Sequence, residues 1–334
     1  MPDSAVLTFT DLDAYHASIR GAQVDGIVTS RGNFSVKWTG IQLDRLSMQR
    51  SEETLPRVAY NAIDPKQYGI IFATNPRQPL GYVRDLELSP ADIIVYGVGS
   101  VGHNRIPAPF QWGSMALMQE DLAAAGEALV GRELIAPSFT HRIRPPAPLM
   151  SRLLNLHEAA GRLAETSPDI LAHSEVARAF EQGLLHAMVS CINGGEAAET
   201  GSAHHRHAVI MRRLEEVLEA NPDRTLYVAE LCAATRTSDR TLRICCQEHL
   251  GMSPMRYLWL RRMHLARRAL RMADPAAATV TDIATNYGFW EFGRFSVAFR
   301  SLFGETPSAS LLRPPDDPRL QKTTGSPWQL PESA

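Results

Sequence analysis

Three groups of residues in this 334-residue chain have types and spacings that could do chemistry. Residues 97–102 read Gly-Val-Gly-Ser-Val-Gly, which fits the G-x-G-x-x-G pattern of a dinucleotide-binding loop. That loop needs a helix starting beside it, so that free N–H groups meet the pyrophosphate. Here Pro107 and Pro109 follow closely, and no helix runs through them. The stretch reads as a glycine-rich β turn. The second group is His204, His205 and His207, in a polar segment where metal ligation would be opportunistic. His16, His103 and His141 stand alone in sequence, and no nucleophile-elbow or phosphate-loop motif is present. Neither a catalytic residue, a metal ligand nor a cofactor is assigned.

The third group is arginine. Residues 204–313 hold 16 Arg, no Lys and 11 acidic side chains, a net of +5. Residues 1–203 carry −6 and residues 314–334 carry −1. The total of −2 and the sequence pI near 6.6 are therefore averages over unlike halves. Arginine presents a planar fork of donors that fits phosphates and guanine edges.

Local signals say what positions these arginines. Residues 228–234 read as a short helix, followed by a tight turn at 235–237. A second helix starts at Ser238 or Asp239 and ends at Gly251. Ser and Asp suit an N-cap because their oxygens accept a free N–H, and Gly suits the left-handed C-cap. The arrangement is a helix-turn-helix at 228–250, and it recurs at 280–303. There Ile283 and Ala284 lie in the short helix, Gly288-Phe289 in the turn, and Phe295 and Phe299 in the second helix. Leu242 to Gly251 spans nine residues, as does Phe295 to Gly304, and the turn of the second copy reads as one residue longer. Gly-Met-Ser-Pro at 251–254 matches Gly-Glu-Thr-Pro at 304–307, and each Ser or Thr can cap a helix opening on Pro. Between the copies, Tyr257, Leu258, Leu265 and Leu270 form an apolar stripe. Arg256, Arg261, Arg262, Arg267, Arg268 and Arg271 lie on or beside it. A rigid connecting helix is expected to hold the two motifs apart, so that each can place its second helix in a successive major groove.

Residues 206–313 resemble the AraC/XylS family of bacterial transcription regulators. The resemblance rests on "GMSPMRYLWLRRMHLARRAL", "TVTDIATNYGFW" and "FRSLFGETPSASL". It implies a cytoplasmic transcription regulator, an activator in many members, that binds double-stranded promoter DNA and meets RNA polymerase. Family members read bases with early residues of each second helix. Carried over, the first helix offers Arg240, Thr241 and Arg243. The second offers Phe292, Gly293, Ser296 and Val297, with Glu291 and Arg294 nearby. Ile244 and Val297 stand where the family commonly has Arg, so the expected readers are Arg240, Arg243 and Arg294. Each could instead clamp a phosphate, which positions without specifying. Phe295, Phe299, Phe303 and Leu242 read as core, and Trp290, at the helix start, as a residue that packs or else touches a sugar edge.

The expected fold is multidomain. Residues 1–147 show period-two alternation in short runs, as in Phe34, Val36 and Trp38, with further strands expected at 68–74, 82–88, 92–97 and 112–119. They resemble the cupin-like β-barrel of one regulator branch, similar to ethanolamine-utilisation-type regulators. That likeness implies a small-molecule effector, for which Trp38, Tyr60, Tyr96, His103 and Trp112 are candidate pocket residues. Two accessory helices are expected over 148–193, serving either as a dimer interface for a homodimer or as packing on their own barrel. A linker over 194–205, the all-α DNA-binding domain over 206–313, and a Pro-rich disordered tail over 314–334 complete the division. The alternative is a metal-dependent cupin-type enzyme fused to a DNA-binding module. No apolar run approaches the length of a membrane span and the first residues do not read as a secretory signal. The cysteines Cys191, Cys232, Cys245 and Cys246 lack C-x-x-C spacing and read as reduced thiols.

Overall fold

The computed structural model describes residues 2–198, 202–221 and 224–313, with the side chains of 198 and 202–206 left aside. The tail expected at 314–334 lies outside the described residues. The N-terminal region begins with β1 (Asp3–Phe9), α1 (Leu12–Ser18), β2 (Ala22–Val28), β3 (Val36–Gln42), β4 (Leu46–Glu53), β5 (Arg57–Ile63) and β6 (Gln67–Ala73). It continues with β7 (Gly81–Val83), β8 (Leu86–Leu88), β9 (Ile93–Val95), β10 (Val101–Ile106), β11 (Phe110–Met118), α2 (Gln119–Val130) and β12 (His141–Arg144). Then come α3 (Ala147–Thr166), α4 (Pro168–Leu171), α5 (Ser174–Gly194) and β13 (Glu196–Ala198). The C-terminal region is helical: α6 (Ser202–Glu219), α7 (Val228–Thr235), α8 (Asp239–Leu250), α9 (Pro254–Met272), α10 (Val280–Asn286), α11 (Phe292–Phe303) and α12 (Pro307–Leu312).

The strands form two antiparallel sheets. The larger runs β1-β3-β4-β11-β6-β9-β12-β13 and the smaller β2-β5-β10-β7-β8. Alternation along the strands assigns each side chain to a layer. In the larger sheet Val36, Trp38, Ile71, Ile94 and Trp112 face the smaller sheet, where they meet Val28, Val83 and Ile106. Their neighbours Ile41, Met48, Ile70, Phe72 and Ile93 face the other way, against Leu153, Ala160, Leu184 and Met188 of α3 and α5. The accessory helices therefore use their apolar faces on their own sheet.

Outward residues of the smaller sheet meet the helical region. Ile27 and Val58 belong to the same cluster as Leu242, Leu260, Phe295 and Phe299. Both sheets are thus covered on both faces, which is why runs such as 69–73 are apolar throughout rather than alternating.

Several local expectations change. The run 82–88 is two strands, because Arg84 takes a left-handed φ of 61° and turns the chain between β7 and β8. Helix α2 follows β11 directly, with Glu120 and Asp121 in its first turn and Gly131 as a left-handed cap. The segment 194–205, expected as a linker, holds β13, paired with β12, and the start of α6. The glycine-rich stretch at 97–102 connects β9 to β10, with Gly99 at φ 57°, and no helix starts there.

Candidate nucleic-acid interface

Each helix-turn-helix is built by capping. Ser238 Oγ accepts the Thr241 N–H at 3.2 Å and so opens α8, which Gly251 closes at φ 69°. Ser253 opens α9 in the same way through the Arg256 N–H at 3.3 Å, with Pro254 in the first turn. In the second copy Thr279 caps α10, Gly304 closes α11 at φ 74°, and Thr306 caps α12. Leu242, Phe299 and Leu302 are buried between these helices. The turns differ more than the sequence suggested: three residues separate α7 from α8 and five separate α10 from α11.

The residues expected to read DNA lie on the open faces of α8 and α11. Arg240 is exposed and carries no ion pair among the described residues. Arg243 pairs with Asp239 at 2.8 Å, and Arg294 with Glu291 at 2.8 Å. Both pairs are solvent-exposed, so their loss on binding a phosphate or base costs little. Thr241 is engaged with Ser238 through both its N–H and its hydroxyl. Gly293 has nothing within 4 Å of where a Cβ would stand. Phe292 is 40% exposed, and Ser296 is half-buried. Phe295 and Phe299 are core as expected, and Phe303 is half-buried. Trp290 is not a packing residue: it is 70% exposed, because the longer turn carries it off the helix pair.

The arginines of α9 face a different partner. Arg267 donates to Asp11 at 3.0 Å and to Glu305 at 3.0 Å, and Arg271 also pairs with Asp11. Arg268 bridges Asp13 at 2.5 Å and Asp25 at 3.0 Å. These aspartates sit at the start of α1 and on β2, more than 240 residues away in sequence. Beside them, Glu215 of α6 accepts from Tyr257 at 3.0 Å and bonds His103 of β10 at 2.7 Å. Glu215, His103 and Tyr257 are all buried. The β region is therefore seated on the connecting helix by an ionic cluster and a buried hydrogen-bond network, neither of which has a local sign in the sequence.

Asp11 also caps α1 by accepting the Ala14 N–H at 3.0 Å. Burial pushes its carboxyl up, but the Ala14 N–H and the guanidinium groups of Arg267 and Arg271 outweigh it and leave the carboxyl below the usual value. Such a group stabilises above its unfolded pKa and loses that contribution as the pH falls through the depressed folded value. Asp11→Ala is expected to cost about 3 kcal/mol, because two largely buried guanidinium groups lose a carboxylate. Urea unfolding of Asp11→Ala beside Asp11→Asn at pH 7.5 measures it. Asparagine keeps an acceptor for the Ala14 N–H but not the charge, so it should lose nearly as much as alanine, and an asparagine variant as stable as the unaltered chain would show that α1 capping carries the effect.

The five candidate pocket residues do not come together. Trp38 is core, and Tyr60 and His103 face the helical region, with their rings 5.4 Å apart. Tyr96 and Trp112 line a small cavity between the sheets, about 60 Å³ in volume, beside Arg57 and Gln67. A larger cavity of about 300 Å³ lies at the seam of the two regions. Its walls include Val58, Tyr82 and Arg105 from the β region and Leu250, Met252 and Arg256 from the helical region. The Arg105 guanidinium stacks over Tyr82 at 3.9 Å, and its Nε is buried without a hydrogen-bond partner.

His207 pairs with Glu248 at 2.6 Å, and the side chains of His204 and His205 lie outside the described residues. Among the described residues no three His, Cys, Asp or Glu side chains are grouped to hold a metal ion. All four cysteines carry free thiols, with Cys191, Cys245 and Cys246 buried.

Residues 231–313 match the family described as Helix-turn-helix domain. The chain is 40% identical over 102 residues to the "Probable thc operon regulatory protein" of Rhodococcus erythropolis, covering 30% of this chain and 31% of that one. It is 32% identical over 99 residues to the XylDLEGF operon transcriptional activator 2 of Pseudomonas putida, covering 30% of this chain and 63% of that one. The chain thus spans less than two thirds of the length of these relatives. Among solved structures, the AraC-like transcriptional activator CuxR aligns over 84% of this chain and 100% of its own, with 14% identity and a TM-score of 0.41.

Proposed function

Since the chain is a member of the AraC/XylS family through its C-terminal helix-turn-helix domain, we propose that it regulates transcription by binding promoter DNA through α8 and α11. The observation that carries this reading is the duplicated, capped motif with Arg240, Arg243 and Arg294 on its open faces. The two second helices enter successive major grooves, and α9 sets their separation. Arg240 and Arg243 sit where a guanidinium can meet guanine O6 and N7. Arg240→Ala is expected to cost about 1–3 kcal/mol at the cognate site and to relax preference there. Competition binding of the full chain on its own promoter region against random duplex tests it. An equal loss on every duplex would make Arg240 a phosphate clamp, and no promoter preference in the unaltered chain would sink the regulator reading.

The same reading makes the seam cavity the effector site. At about 300 Å³ it matches the lower range of ligand pockets, whereas the cavity beside Tyr96 and Trp112, at about 60 Å³, falls well below it. Two guanidinium groups and no carboxylate line it, among apolar walls, which suits a small organic anion. Arg105 also packs against Gly251, the cap that ends α8, so an anion drawing on Arg105 acts at the end of a reading helix. A series of straight-chain carboxylates should raise the melting temperature of the full chain but not of Arg105→Ala. An identical response from both would remove the site from the seam. A homodimer through α3 and α5, and contact with RNA polymerase, stay as family expectations.

A further inference from the structure

The two motifs repeat at an offset of 53 residues, which superposes Leu242 on Phe295 and Gly251 on Gly304. At this offset Ile244 falls on Val297. Both are β-branched and apolar, and both stand on the open face of a reading helix: Ile244 is 42% exposed and Val297 73%. Neither joins the apolar cluster that the helices bury between them. Two copies of one motif thus leave the same kind of apolar side chain uncovered at the same place.

The surroundings say what would cover it. Arg240 and Arg243 flank Ile244, one turn and one residue earlier, and Arg294 precedes Val297 on α11. A face that combines guanidinium groups with a compact branched hydrocarbon is complementary to a major groove, where phosphates flank the base edges. In that groove the one apolar group on a base edge is the thymine 5-methyl. Arginine at these two places would seek guanine, but valine and isoleucine cannot.

Resting on the regulator reading above, we infer that Ile244 and Val297 are specificity-determining residues, each seated on a thymine methyl. The site is then split in chemistry. The first helix reads guanine through Arg240 and Arg243 beside a thymine at Ile244. The second has Gly293 at the position matching Arg240, with open space around it. No side chain holds the α11 backbone off the groove at that point, so the second half-site is read chiefly by apolar contact through Val297. Val297 carries the larger share of methyl discrimination and Ile244 the smaller.

The test uses the full chain and a random duplex library. Repeated selection should enrich sites with a thymine in each half, about one helical turn apart. Replacing each enriched thymine by deoxyuridine removes one methyl group and leaves pairing and phosphates unchanged. Affinity should fall about fivefold at the thymine facing Val297 and about threefold at that facing Ile244, as expected for uncovering one to two buried methyl groups. Val297→Ala should abolish the response to deoxyuridine in the second half-site and leave the first unchanged, and Ile244→Ala should do the reverse. Both side chains are exposed, so neither change threatens folding. Enriched sites indifferent to every deoxyuridine, or a Val297→Ala chain that still senses the methyl, would overturn the inference, and would direct this face to a protein partner. A selection that enriches no sequence overturns the regulator reading, and this inference with it.

Discussion

Glu53→Ala is expected to lower the melting temperature of the β region by about 10 °C. Glu53 is fully buried between the sheets and is the hub of a polar cluster. Arg57 donates to it twice, at 2.5 Å and 2.9 Å, Trp112 donates at 2.6 Å, and Tyr15 at 2.9 Å. Burial alone would push the Arg57 guanidinium down, but the Glu53 charge outweighs it and holds it firmly protonated. Removing the carboxylate leaves that cation inside the barrel without a counter-charge. Breaking one side of such a buried pair costs about 3–5 kcal/mol. For a domain of this size each kcal/mol moves the melting temperature by about 2–4 °C. Calorimetry of Glu53→Ala beside Glu53→Gln separates charge from hydrogen bonding, because glutamine keeps one acceptor. A shift below about 2 °C for alanine would mean that the guanidinium finds other company.

Mild acid is expected to unfold the protein well above the pH at which carboxylates titrate. Burial pushes the imidazoles of His157 and His264 down to about 3 and that of His249 down to about 4, and holds His16 well below its ordinary value. Arg50 beside His157, and Arg57 and Arg268 beside His16, add repulsion. Each ring is neutral when folded and takes a proton near pH 6.5 once unfolded. Their contribution is complete above pH 6.5 and is lost as the pH falls from there toward the folded values. Between pH 6.5 and pH 5 His157, His249 and His264 each cost roughly 1.7 kcal/mol, together about 5 kcal/mol, and His16 adds in the same direction. That approaches the whole stability of a typical domain. Urea unfolding from pH 7.5 to pH 5 should show a slope of about three protons or more at the acid end. His157→Leu should remove about one of them. A flat profile would mean that these rings reach solvent.

The helix-turn-helix pair was legible because its signals are local. Ser238, Ser253, Thr279 and Thr306 cap helices within three residues, and Gly251 and Gly304 close them at positive φ. The strands were legible wherever polar and apolar residues alternate, and less so where both faces are covered, as at 69–73. Helix α2 was missed although Glu120, Asp121 and Gly131 mark its ends. The seat of the β region on α9 had no local sign. Arg267, Arg268 and Arg271 read as part of a DNA-directed charge, yet they pair with Asp11, Asp13 and Asp25. Only the opposite charges of the two halves hinted at it, and a charge count does not say which residues meet.

That pairing limits how far the two regions can be treated as exchangeable parts. A hybrid made by fusing this helical region to another sensor would expose Arg267, Arg268 and Arg271 to whatever surface arrived in its place. Unless the incoming domain carried carboxylates where Asp11, Asp13 and Asp25 stand, Arg267, Arg268 and Arg271 would lose those counter-charges, with Glu305 of α12 still holding Arg267, and the helical region would carry more uncompensated positive charge. It would then hold DNA of any sequence more tightly and choose among sequences less well. A functional graft has to move the three aspartates together with the sensor.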